Sequence, residues 1–214
     1  MDTRTKRAGA WSVGAAVVVA GLAAGIVGIS GGSIATAADP APALAEKGEY
    51  VIDAVHSSVL FEIMHMGVAP NHGRFNDMSG TFTYDESTGA ISDITFTVKA
   101  ESVDTNSKQR DDHLRGPDFF SVKEFPEISF TSTKVTKAGD VFRAEGTLDF
   151  HGVSKSISVD IRVTGTGKDP WNNLRTGFTT EFKVDRTAYG VDYRPDVLGT
   201  EVTLTVSAEG VRKP

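Results

Sequence analysis

The 214-residue chain contains no cysteine. Disulfides, thiolate metal sites, thiol catalysis and a lipidated N-terminal cysteine are therefore excluded together. Beyond its first residues it has no basic run, and its formal charge is −6. Such a chain repels phosphate backbones, which rules against nucleic-acid binding. No G-x-S-x-G, Walker or G-x-G-x-x-G motif occurs, so the sequence offers no nucleophile elbow or phosphate cradle. The histidines His56, His65, His72, His113 and His151 show neither H-x-x-x-H nor H-x-H spacing, and no metal site is expected. His65 and Met66 are neighbours, but neighbours on a strand face opposite sides and cannot share one haem iron. Long helical periodicity is missing as well.

What is present divides into two unequal parts. Residues 8–38 carry no charge, while the remainder is charged throughout. A basic head (Arg4, Lys6, Arg7), an apolar run over residues 11–29 and the small-residue exit Ala35-Thr36-Ala37 are the three parts of a secretory signal peptide. The rival is a permanent anchor, since such a run just spans a bilayer. Its richness in Ala, Gly and Val favours cleavage after Ala37. Lys6-Arg7 stands where a twin-arginine export signal requires two arginines. Loss of residues 1–37 removes three cations and one acid, which takes the formal charge from −6 to −8. Residues 38–48, with Pro40 and Pro42, read as a flexible linker. The chain from 49 to 214 reads as one domain, which at this size buries roughly 70% of its unfolded surface.

From Glu49 onward the dominant period is two. Ile94, Phe96, Val98 and Ala100 alternate with polar residues, as do Ile157, Val159, Ile161 and Val163. The same holds for Val202, Leu204, Val206 and Ala208, for Phe142, Ala144, Leu148 and Phe150, and for Phe178, Phe182 and Val184. Each pattern predicts a strand with one dry and one wet face. Less regular strands are expected at 49–53, 59–65, 80–84 and 127–135, with turns at Glu86-Ser87-Thr88-Gly89, Ala138-Gly139-Asp140 and His151-Gly152. One short helix is expected between Asn106 as N-cap and the stop Gly116-Pro117. It is too small to cover a sheet. The dry faces must therefore meet other strands, in a sandwich or in a closed barrel, and periodicity alone leaves that choice open.

Four ordered segments resemble the YceI-like family of lipocalin-like polyisoprenoid-binding proteins. They are His56-Ser57-Ser58-Val59-Leu60-Phe61-Glu62-Ile63-Met64-His65-Met66 with Gly73-Arg74-Phe75; Ser102-Val103-Asp104-Thr105-Asn106 with Arg110-Asp111-Asp112-His113-Leu114, Asp118-Phe119-Phe120 and Phe125-Pro126-Glu127-Ile128-Ser129-Phe130-Thr131-Ser132-Thr133; Gly146-Thr147-Leu148-Asp149-Phe150-His151-Gly152-Val153-Ser154-Lys155; and Asp185-Arg186 with Tyr189-Gly190 and the strand 201–209. Ser154 and Ser156 depart from the threonine and proline usual in the family. The resemblance implies an all-β fold: an eight-stranded antiparallel lipocalin-like barrel with one short helix, enclosing an apolar tunnel. It implies a long-chain isoprenoid quinone or undecaprenyl-type lipid as ligand, with no catalytic cofactor.

A single dry-face phenylalanine is most simply core, but the set is the natural lining of such a tunnel. The candidates are Phe61, Ile63, Phe75, Phe82, Phe96, Phe130, Phe142, Leu148, Ile161, Phe178 and Phe182, with Phe119 and Phe120 closing one end. Burying a methylene gains about 0.8 kcal/mol, so apolar contact alone suffices for binding. Arg110, Asp111, Asp185 and Arg186 are expected to form ion pairs that pin the helix and the rim, with contact to a ligand head group as the alternative, and His113 stands beside them. The reading is a periplasmic or secreted carrier, not an enzyme. The rivals are an enzyme using His113 and Asp111 on an isoprenoid, and an accessory module for a membrane redox or lipid-processing partner. Oligomeric state is open, a dimer included.

Overall fold

The computed structural model describes residues 47–214. The signal-peptide reading of residues 1–37 and most of the linker reading fall outside the described residues. The strands are β1 (Gly48–Ile52), β2 (Ser58–His65), β3 (Ala69–Phe75), β4 (Met78–Asp85), β5 (Ala90–Lys99), β6 (Val103–Asp104), β7 (Glu127–Ala138), β8 (Val141–Phe150), β9 (Val153–Lys168), β10 (Leu174–Asp185) and β11 (Leu198–Arg212), and the helix is α1 (Lys108–Leu114). Alternation extends each of the long strands beyond the stretch where it is strictest. Ile157 to Val163 is regular in β9, and the strand runs beyond it in both directions, from Val153 to Lys168.

Every pairing is antiparallel, in the order β1-β4-β5-β7-β8-β9-β10-β11, and β11 returns to β1. The sheet closes. Three of its strands are interrupted: a 3-10 turn at Ala54–His56 divides β1 from β2, Asn76-Asp77 divide β3 from β4, and a second 3-10 turn at Ala100–Ser102 divides β5 from β6. Counting each interrupted pair once gives an eight-stranded barrel. In β5, Asp93 adopts a φ of 51°, and the register with β4 shifts opposite it. That bulge lets Ile91 and Ile94, three positions apart, both face inward.

β3 was not among the expected strands, because Pro70, Asn71, His72 and Gly73 are weak strand formers. Pairing with β2 holds it from His65↔Ala69 to Val59↔Phe75. Gly73 is required there: a Cβ would sit 2.2 Å from the Phe61 ring. The helix also starts one residue later than expected. Asn106 has a φ of 60° and its N–H reaches Asp104 Oδ1, so Ser107 is the N-cap, with no capping bond from its side chain. Arg115, at the far end of α1, donates to the carbonyls of Glu101 and Val103 and fastens the helix to β6.

Candidate apolar cavity

The two ends of the barrel are packed differently. At the end holding the β4–β5 and β9–β10 turns, the interior is solid. Tyr50 stacks on Phe82 at 5.2 Å, and Phe82 meets Phe178 edge-on at 5.3 Å. Ile161 and Ile94 fill around them, with Phe96 and Phe142 packed against this cluster. Gly210 is glycine because a Cβ would lie 2.5 Å from the Phe82 ring.

At the end holding α1 and the β2–β3 hairpin, the interior is hollow. A cavity of about 610 Å³ lies between the dry faces of β2, β7, β8, β10 and β11. Of the residues singled out in the sequence, Phe61, Ile63, Phe75, Phe119, Phe120, Phe130, Leu148 and Phe182 line it. Rings run along one wall from Phe61 through Phe75 and Phe120 to Phe150. Phe82, Phe96, Phe142, Ile161 and Phe178 do not border the cavity; they belong to the solid half. Period two assigns a side chain to the inside of a barrel but says nothing of its height along the axis.

Polar groups gather at the mouth. Asp111 is buried, and its Oδ1 accepts from Thr105 N–H at 2.8 Å and Thr105 Oγ1 at 2.5 Å. Arg110 donates from Nε to Thr105 Oγ1 and from Nη2 to Thr105 O, both at 2.7 Å. Arg186, 4% exposed, donates to the carbonyls of Gly199, Val191 and Leu198. Burial lowers its pKa, against the raising fields of Asp185 and Asp192. Asp185 caps the 3-10 turn Arg186–Tyr189 through Thr187 N–H and Oγ1, bonds that hold its carboxyl below the usual range. The expected ion pairs among Arg110, Asp111, Asp185 and Arg186 do not form. Backbone amides, carbonyls and hydroxyls left open by the irregular rim satisfy all four instead.

His113 bonds Asp118 through Nε2 at 2.9 Å and packs edge-on against Phe119 and Tyr193, which also meet each other. Arg110, His113, Arg186, Tyr193 and Arg194 all border the cavity. This arrangement solvates a polar end and hides an apolar body, the division of labour of a binding pocket.

A YceI-like domain matches residues 50–210. The chain belongs to the YceI-like family. Protein YceI of Salmonella arizonae and that of Salmonella paratyphi B are each 38% identical over 167 residues, 77% of this chain and 87% of theirs. Among solved structures, a Campylobacter jejuni YCEI protein superposes with a TM-score of 0.63 at 27% identity, over 71% of this chain and 90% of that one. Burkholderia cenocepacia BcnA gives 0.66 at 21% identity, over 74% and 98%. A polyisoprenoid binding domain from Saccharophagus degradans, implicated in plant cell wall breakdown, gives 0.58 at 17%, over 77% and 98%. These last two share the YceI-like barrel fold.

Much of the wall in this YceI-like barrel is aliphatic and escaped the sequence reading. Val59, Val184, Val191, Leu198, Val202 and Leu204 border the cavity. The alternation of β11 marks Val202, Leu204 and Val206 as inward, so the signal was there, overshadowed by the phenylalanines. At the opposite end, Asp53, His56 and Glu209 bring metal-type ligand atoms within 4.8 Å of one another. Arg175 already donates to both carboxylates, at 2.8 and 2.6 Å. A cation there has to displace a guanidinium.

Proposed function

We propose that this YceI-like protein binds a long-chain isoprenoid lipid, a quinone or an undecaprenyl-type chain, and shields it from water as an envelope carrier or store. The observation that carries the reading is the cavity of about 610 Å³, apolar along its walls and polar at its mouth. It falls within the roughly 300–1,000 Å³ of ordinary ligand sites. The Saccharophagus degradans domain of the same fold is named for polyisoprenoid binding, which agrees in kind. Binding rather than catalysis is favoured by the rim. The enzymatic alternative needs Asp111 beside His113, but Asp111 turns to Thr105.

Export completes the proposal. Residues 1–37 act as a signal peptide and the mature chain begins near Ala38, in the periplasm or outside the cell. Purification from the native host, followed by organic extraction and mass spectrometry of lipid and protein together, tests both halves. The expected result is an isoprenoid in the extract and a mature mass starting near Ala38. Recovery of an intact Met1 in the membrane fraction counts against export, and an extract free of isoprenoid counts against the carrier.

A further inference from the structure

The most exposed apolar surface beside the cavity is the tip of the β2–β3 hairpin. Met66 and Gly67 turn the chain with φ of 52° and 66°, and Val68 N–H closes the turn on His65 O at 2.9 Å. Met66 is 60% and Val68 77% exposed, with Met64 at 42% on the outer face of β2. Residues 66–70 are all exposed, and none is charged. Contiguous apolar side chains held in water at a loop tip mark a contact surface.

The tip is continuous with the cavity wall. His65 and Leu198 pair across β2 and β11 and both border the cavity. Met66 N–H donates to the carbonyl of Val197, another lining residue, at 2.7 Å. The lining therefore passes over the rim onto Met66 and Val68. Charge distinguishes the hairpin as well. The chain carries 28 acidic residues, yet none lies among the exposed residues 66–70 of the tip; on the strands behind it Glu62 lies 3.8 Å from His72, and Arg74 stands at the base in register with Asp104. An acidic body with an uncharged, apolar tip enters a lipid surface at that tip, the part with no charge to desolvate.

We propose that the β2–β3 hairpin is where the barrel meets a lipid bilayer, with Met66 and Val68 entering the headgroup–acyl boundary so that the cavity mouth opens onto lipid. The proposal rests on the reading of the cavity as a lipid site and deepens it. A water-insoluble chain then passes between bilayer and barrel without crossing water, the step that hydrophobic hydration opposes most.

The cysteine-free chain permits a local test. Full-length Val68→Cys and Thr88→Cys variants each carry one environment-sensitive NBD label, the second at the β4–β5 turn on the far end of the barrel. Both keep the same N-terminal segment, so any membrane affinity of that segment is common to the two. Phosphatidylcholine vesicles are expected to shift the label at 68 to the blue and brighten it several-fold. The label at 88 stays unchanged. No response at 68, or equal responses at both sites, overturns the proposal. Brightening at 68 that needs protein concentration but no vesicles assigns the tip to a second copy and overturns it too. Uptake of a fluorescent fatty acid without vesicles reads the cavity separately. Uptake without a response at 68 overturns the bilayer contact and leaves the lipid site standing. A response at 68 without uptake supports the contact and removes the lipid reading of the cavity.

Discussion

Phe178 and Phe182 lie two repeats of the pleat apart on the same face of β10, yet their surroundings differ. Phe178 is 3% exposed and locked edge-on against Phe82, whereas Phe182 borders empty volume. Removing a ring from a filled interior leaves a void whose surroundings relax only in part. Phe178→Ala is therefore expected to cost roughly 3–5 kcal/mol of stability. Phe182→Ala enlarges an existing cavity and is expected to cost clearly less, while lowering affinity for an apolar chain. Chemical denaturation of the empty protein, set beside a ligand titration, separates the two. Equal losses of stability would mean that the hollow half is filled in solution. At this scale the sequence is legible for which way a side chain points. Height in the barrel depends on strand stagger, which no residue pattern records.

The long strands were legible as elements because each carries an unbroken dry face, as Ile157 to Val163 does in β9. β3 was not, because its hold is its partner β2 rather than its own composition. The same dependence on partners appears at the closed end, where Arg175 opens β10 and gathers three elements. It donates to Asp53 after β1, to Asp169 in the β9–β10 turn and to Glu209 on β11. Its bond, followed by that of His56, holds the Asp53 carboxyl down to about 2. At Asp169 burial opposes the charge, but bonds from Asn173, Arg175 and backbone N–H groups prevail and also bring it to about 2. Both folded values lie below the ordinary 3.8. The fold thus favours the ionised carboxylates. Their stabilisation is complete above 3.8 and is lost as the pH falls from there toward about 2. Thermal melts across that window should show a steep decline for the native chain. Arg175→Met should melt lower at neutral pH and decline less steeply in acid. An unchanged slope would show that Arg175 does not couple these strands.

An eight-stranded barrel is just wide enough for side chains to fill it or for one slender ligand. This molecule divides the two, with Tyr50, Phe82 and Phe178 filling one half and a cavity in the other. The filled half makes the cavity blind, and a blind cavity measures its ligand. At roughly 30 Å³ per heavy atom, the share one water takes in the liquid, about 610 Å³ holds about 20 atoms. Four isoprene units would fill that space, and a longer chain would keep its remaining units at or beyond the mouth, beside Tyr193 and the β2–β3 hairpin. Affinity is expected to rise with chain length by about 0.8 kcal/mol per buried methylene, less the cost of ordering the chain. It should level off near twenty carbons. Calorimetric titration with linear isoprenoid alcohols of increasing length, in mild detergent below its micelle concentration, reads the curve. A break well short of twenty carbons would place a second constriction inside the cavity. A rise continuing far beyond it would mean that the packed half opens, with Phe82 and Phe178 parting to admit the chain. The Phe178→Ala variant then decides the matter, since emptying that position should lengthen the preferred chain only if the partition beyond Phe182 is a wall.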